Sequence, residues 1–197
     1  MPTIYLSPSV RESTPYIIGG NEETYMNQIA DSMVPYLRAS GISFTRNNPG
    51  NTISQVIAQS NAGDYDLHMA LHSNSSPETL KGVLQGPDVY YFTTSEKGFQ
   101  AAEIFEKHLK EIYPNSNLVT VIPTTTLAEL RRTKTPAVLI DIAYQDNYED
   151  ATWIRDNIDL IAKNLVQSLS EYFSIPFVDA DPEGNSADNQ FIFKKNK

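Results

Sequence analysis

The sequence predicts a single α/β domain, a mostly parallel twisted sheet of about five to six strands with helices on both faces. Three observations carry that reading. Short apolar runs alternate with helical patterns from end to end, as strands joined by crossover helices do. The run from Pro136 to Ile142 is aliphatic without alternation, as in a strand buried on both faces. The chain has 197 residues, enough for one substantial core and too few for two comfortable ones.

Thr3-Ile4-Tyr5-Leu6 reads as the first strand, stopped by Ser7-Pro8-Ser9. After a loop ending in Gly19-Gly20-Asn21, the apolar residues Tyr25, Ile29, Met33 and Leu37 recur at i, i+4 spacing. They predict a helix over 22–39. Ser40-Gly41 ends it, and Ile42-Ser43-Phe44-Thr45 is the second strand. Thr52 caps a helix to about Ala62, with Ile53, Val56 and Ile57 inward. Asp66–His72 and Val89–Phe92 read as the third and fourth strands, and 96–112 as a helix. The strand ending at Ile142 is expected to be central, and a last helix runs from Glu149 or Asp150 to Tyr172. The folded domain is set at 1–176. The remainder, 177–197, is rich in Asp, Glu, Asn and Lys and reads as a polar, flexible C-terminal tail.

Charge and cysteine usage remove several function classes. Lys and Arg total 15 against 24 Asp and Glu, a formal net charge of −9. With no basic cluster, that balance argues against nucleic acid and against electrostatic attachment to anionic lipid. No cysteine is present, so disulfides, thiol nucleophiles and Cys-based zinc sites are excluded. Met1–Ser7 lacks a basic segment followed by an apolar stretch, so no signal peptide is read there. No run approaches the roughly 18 apolar residues of a transmembrane segment.

Three residues stand where such a sheet exposes chemistry. His72 closes the third strand ahead of the polar turn Ser73-Asn74-Ser75-Ser76, and ligands bind at the carboxyl ends of strands in open α/β sheets. Asp141 lies late in an otherwise apolar strand, where a buried carboxylate needs a metal or a donor network. Glu22 opens the first helix, where the macrodipole favours a carboxylate and a metal would also find one. Taken alone, each is equally readable as a structural residue, and together they leave a carboxylate–histidine metal site open.

Longer segments add a family resemblance. Val138-Leu139-Ile140-Asp141-Ile142-Ala143-Tyr144-Gln145-Asp146-Asn147 resembles the apolar–Glu–x-x-aromatic–x-x-Asn strand end of the zinc-dependent N-acetylmuramoyl-L-alanine amidases of type 3. Leu67–Ser75 resembles that family's apolar–Ser/Ala–Ile–His–x–Asn–Ala segment. Glu22–Asn27 is similar to the start of its first helix, Arg131–Pro136 to the basic approach to its last core strand, and Gly82-Val83 with Tyr90-Tyr91-Phe92 to its fourth-strand region. The pieces keep their order over about 3–176.

The resemblance implies a peptidoglycan hydrolase that cuts the amide between N-acetylmuramic acid and L-alanine, with the stem peptide and muramic acid as binding partners. In that family zinc is held by two His and one Glu, and a second Glu promotes attack by metal-activated water. Carried over, Glu22 falls on the ligand Glu, His72 on the second ligand His, and Asp141 on the catalytic Glu, one methylene shorter. Arg131 is the candidate donor to the oxyanion. The first ligand His should follow the first strand, yet Leu6-Ser7-Pro8-Ser9-Val10-Arg11-Glu12 holds none. Val10 cannot bind metal and Arg11 carries a permanent positive charge; Glu12 is the substitute donor to test. His68 precedes His72 by four residues, about 13 Å along a strand, too far to share an ion, and is expected to be buried and hydrogen-bonded. His108, among charged residues of a helix, is expected to be solvated. The alternative reading keeps the groove but not the catalysis, as a domain that binds peptidoglycan or a cell-wall partner.

Overall fold

A computed structural model describes residues 1–180. The elements in order are β1 (Thr3–Pro8), α1 (Glu22–Ala39), β2 (Ser43–Arg46), α2 (Ile53–Ala62), β3 (Leu67–Asn74), β4 (Asp88–Phe92), α3 (Glu96–Ile112), β5 (Thr120–Thr124), α4 (Ala128–Arg132), β6 (Ala137–Tyr144), α5 (Tyr148–Asp156) and α6 (Ile158–Tyr172). The six strands form one sheet in the order β2-β1-β3-β6-β4-β5. The neighbours from β2 to β6 pair parallel, whereas β4 runs antiparallel to β6 and carries β5 parallel to itself. β6 is therefore central, and only Asp141 and Tyr144 along it are partly exposed.

Local chemistry explains most boundaries. The Asn21 side chain accepts from Thr24 N at the start of α1, leaving Glu22 and Glu23 in the first turn where the dipole favours them. Thr52 and Gln55 form a capping box on α2. Several features differ from expectation, the short α4 among them. The predicted last helix breaks at Asn157, which leaves helical geometry at φ −127° and ψ 26° and whose side-chain amide donates to Trp153 O. β5 was not predicted, because Pro123 within Thr120–Thr124 removes a ladder donor; it is tolerated since β5 is an edge strand with one free side.

The two faces of the sheet differ in chemistry. Ile4, Leu6, Leu67, Met69, Leu71, Val138, Ile140 and Ile142 share one core with Met26, Ile29 and Met33 of α1, Phe105 and Leu109 of α3, and Leu165 and Leu169 of α6. The opposite face holds only a small apolar cluster of Ala70, Leu130, Ala137 and Leu139, with Tyr90, Phe92 and Leu127 against it. By the period-two rule Ser7, His68, His72 and Asp141 belong to this second face, which α2 and the five-residue α4 cover. The long helices thus take one face and the polar residues the other.

The segment after α6 stays attached as far as it is described. Phe177 packs on Tyr36, and Val178 N donates to Ser40 Oγ, so 177–180 belong to the folded body; the rest of the expected tail lies outside the described residues. His108 is not solvated as expected: its side chain is 14% exposed, and Nε2 pairs with Glu171 on α6 at 2.8 Å. Among the described residues no helix is long and apolar enough to cross a membrane.

The connection from β3 to β4 is held by carboxylates that follow β6. Asp146 accepts from the backbone N–H of Ser76 and Gly82, both at 2.9 Å, and Asp150 from Gly86 N and Tyr144 N. Burial raises the Asp146 carboxyl, but those backbone donors outweigh it and hold the group below its ordinary range. With the folded value below the unfolded one, the contribution is complete above the unfolded value and is lost as pH falls through the folded one. Asp146→Ala is expected to lower stability by about 1–3 kcal/mol at neutral pH, with a smaller gap from wild type near about pH 2. Thermal melts of both proteins across that range check it.

Candidate active site

Parallel pairing of β3 with β6 sets His72 opposite Asp141, and antiparallel pairing of β4 with β6 sets Asp88 on the other side of Asp141. One row across the second face therefore reads His72, Asp141, Asp88. The register shifts between His72 and Asn74, where the chain turns out of the sheet. Glu22 enters from the first turn of α1 and is fully buried, with Oε1 at 2.8 Å from His72 Nδ1. Ser73 N donates to the same Oε1 at 3.4 Å, while Glu22 Oε2 has no partner.

The other ring nitrogen of His72 meets a residue that sequence reasoning missed. Glu129 of α4 is 3% exposed, and its Oε1 lies 3.0 Å from His72 Nε2. Its Oε2 lies 2.9 Å from His68 Nε2 and accepts from Ser7 Oγ at 2.6 Å. His68 Nδ1 in turn pairs with Ser60 Oγ at 2.9 Å, and Tyr5 stacks on the ring. The one signal in the sequence was the i, i+4 spacing of His68 and His72 on a single strand face: two buried imidazoles call for an acceptor between them.

Burial works against a charged His72 ring, but the hydrogen bonds to Glu129 and Glu22 outweigh it and push its pKa up to about 10. With a carboxylate oxygen within 3.0 Å of each ring nitrogen, these surroundings favour the imidazolium form, which donates from both nitrogens. Burial likewise opposes ionisation of Glu129, and the hydrogen bonds from His68 and His72 overcome it, holding the carboxyl well below the usual carboxylate range. Asp141 has the reverse balance. Burial pushes it up to about 7, the charges of Glu22 and Asp88 add to that, and those of His72 and Arg11 reduce it. Asp88 is itself engaged by Thr120 Oγ1 at 2.5 Å and Asn74 Nδ2 at 3.0 Å. Asn74 so ties the turn after β3 to the start of β4, and its Oδ1 accepts from Ser75 N.

A cleft of about 340 Å3 opens over this row, lined by Arg11, His72, Asn74, Tyr90, Asp141 and Gln145 among others. Glu22 meets His72, and Asp141 lies beside His72 in register. Arg131 does not join them: it is exposed on α4 and lines a separate depression with Phe92, Ser95 and Ala137, at the amino end of β6. Arg131 stands there because it comes just before β6, and the arginine facing Asp141 is Arg11. Glu12 stands beside Glu23 on α1, where burial and the Glu12 charge together raise the Glu23 carboxyl.

A family model described as N-acetylmuramoyl-L-alanine amidase matches residues 14–171. The chain belongs to that amidase family. With it come peptidoglycan as substrate and membership of the hydrolases. Solved amidase structures share the fold at low identity. The catalytic domain of CwlV, an N-acetylmuramoyl-L-alanine amidase from Bacillus (Paenibacillus) polymyxa var. colistinus, is 17% identical at TM-score 0.74, over 89% of this chain and 100% of that one. AmiC2 of Nostoc punctiforme is 15% identical at TM-score 0.75, over 88% and 97%. The catalytic domain of an endolysin targeting Clostridia Difficile is 23% identical at TM-score 0.70, over 86% and 96%. Among curated proteins no match was found.

Amidases of this family are generally zinc-dependent. The unpartnered Glu22 Oε2 is one suitable donor, and the Nδ1 of His72 becomes a second only by giving up the proton it directs at Glu22 Oε1. His72 is also braced on its far nitrogen by a carboxylate, as metal-binding histidines usually are. A catalytic zinc needs three protein ligands, and among the described residues no group of three His, Asp or Glu is placed to hold an ion. The remaining charged group at the cleft is the Arg11 guanidinium, which repels a cation. The donor set does not fit a three-ligand zinc site.

Proposed function

We propose that the cleft over His72 and Asp141 binds the junction of N-acetylmuramic acid and the L-alanine of the stem peptide, and that Asp141 is the base for its hydrolysis. The observation that carries this is the Asp141 carboxyl itself, set in the cleft with a pKa pushed up to about 7 by burial. A base poised near the working pH is the one best matched to proton transfer. Asp141 takes a proton from water as the oxygen attacks the amide carbonyl carbon, and delivers it to the departing L-alanine nitrogen. Arg11 supplies the positive charge for the carbonyl oxygen as it gains negative charge. His72 has no free N–H, since both nitrogens are held by carboxylates, so it contributes charge beside Asp141 and no proton.

One observation favours a second reading, a domain that binds the wall without cutting it: Arg11 faces the cleft where the family's chemistry calls for a third metal ligand. Incubation with purified sacculi separates the two. Amide hydrolysis releases new L-alanine amino termini without new reducing sugar ends. Co-sedimentation with sacculi and no new amino termini would overturn the hydrolase reading in favour of the binding one.

A further inference from the structure

Glu129 is an unexpected residue at its position. It sits beside an apolar cluster of Ala70, Leu130, Ala137 and Leu139, where an aliphatic side chain would pack without penalty. A buried carboxylate costs several kcal/mol unless it is paired and hydrogen-bonded. α4 cannot anchor it: the helix has five residues and no side-chain N-cap. What holds the carboxylate is a set of three donors, the Ser7 hydroxyl at 2.6 Å, His68 Nε2 at 2.9 Å and His72 Nε2 at 3.0 Å. Thr133 Oγ1 closes the last turn on Glu129 O at 2.6 Å.

The grouping Ser60–His68–Glu129 has the residue types of a nucleophilic triad. Ser60 and His68 are both fully buried, however, and no substrate reaches them. The chain of contacts runs only one way towards solvent, through Glu129 to His72 in the cleft. Oε2 is saturated by Ser7 and His68, which leaves Oε1 directed at His72 and sets the rotation of the imidazole ring. With Nε2 so fixed, Nδ1 meets Glu22, and the ring stands opposite Asp141.

We infer that Glu129 is a positioning residue of the cleft, with Ser7, His68 and Ser60 as its buried support, and that it acts on substrate only by holding the His72 ring against Glu22 and Asp141. This rests on the reading of the cleft as the active site. Glu129→Gln keeps the shape but replaces one acceptor oxygen with an NH2 donor. If the amide oxygen serves Ser7 and His68, the NH2 faces the His72 Nε2–H, and that ring must rotate or give up the proton.

The test reads the His72 ring nitrogens directly, by 15N-detected NMR of histidine-labelled protein. In E129Q the Nε2 signal of His72 is expected to move and its exchange-protected proton to be lost. kcat on a muramoyl-L-alanine peptide should fall by about 10–100-fold with KM changed less than about threefold. Ser7→Ala, which removes a single donor from Glu129, should move the same signal in the same direction by less. It decides the question alone if E129Q does not fold. His68→Gln, whose amide N–H can replace the ring donor, should keep the wild-type His72 signals. Wild-type His72 signals in a folded E129Q, or in Ser7→Ala where E129Q is unfolded, overturn the inference. A wild type without turnover would sink the hydrolase reading, and the nitrogen signals would still decide the role of Glu129.

Discussion

Asp141→Asn is expected to lower amide turnover on muramoyl-L-alanine substrates by about 10²–10⁴-fold, the range general-base catalysis supplies. The substitution keeps the side-chain shape and removes only the ability to take a proton. It should also stabilise the fold at neutral pH, because the buried carboxyl faces Glu22 and Asp88 and its pKa is pushed up to about 7 from 3.8. The folded value lies above the unfolded one, so folding favours the protonated form. Stability from this group is complete below the unfolded value and is lost as pH rises through about 7. Wild type should therefore melt at a lower temperature than D141N at about pH 8, with the gap closing near about pH 4. The rate of wild type should rise with pH across the same window, as the base ionises. Rates from amino-terminal release and paired thermal melts check both halves. A D141N variant that cuts at the wild-type rate would remove Asp141 from the chemistry.

The second large effect concerns metal. Wild type purified in zinc-containing buffer is expected to carry well under one zinc per chain, since Glu22 and His72 alone supply two of the three donors a catalytic site requires. Replacing the cation with a donor, Arg11→His, should raise zinc affinity by at least about a hundredfold, because a direct ligand matters more than the outer-shell partners whose loss costs 10–100-fold. Adding Asp141→Glu restores the missing methylene. Misplacement of about 1 Å can cost a hundredfold in rate, so the double variant should gain turnover along with metal. Metal content by elemental analysis and chelator competition give a readout independent of activity. One tightly held zinc per chain in wild type, lost in Glu22→Gln, would show that a third donor reaches the cleft after all.

The sequence by itself determined the alternation of strands and helices and the central place of β6, and it singled out Glu22, His72 and Asp141 as candidates. These follow from local rules: apolar period, capping residues, and the fact that parallel strands present their carboxyl ends at one edge. A family-like order of motifs sharpened the same three positions. What only the tertiary structure decided were contacts between residues far apart in the chain with no local signature. Glu129 lies 57 positions from His72 and sits among apolar neighbours, so nothing in its own helix marks it as that ring's partner. Arg131 lines a depression apart from the cleft because it comes just before β6, at the amino end of a strand parallel to β3, whereas Arg11, in the loop after β1, lines the cleft itself. β5 escaped notice because Pro123 is forbidden in an interior strand and harmless at an edge, and which of the two a strand occupies is settled by the whole sheet. The division of the faces was also a tertiary outcome: α1, α3 and α6 share the apolar face, and that leaves the thinly covered second face free to carry a continuous polar network from Ser60 to Glu22.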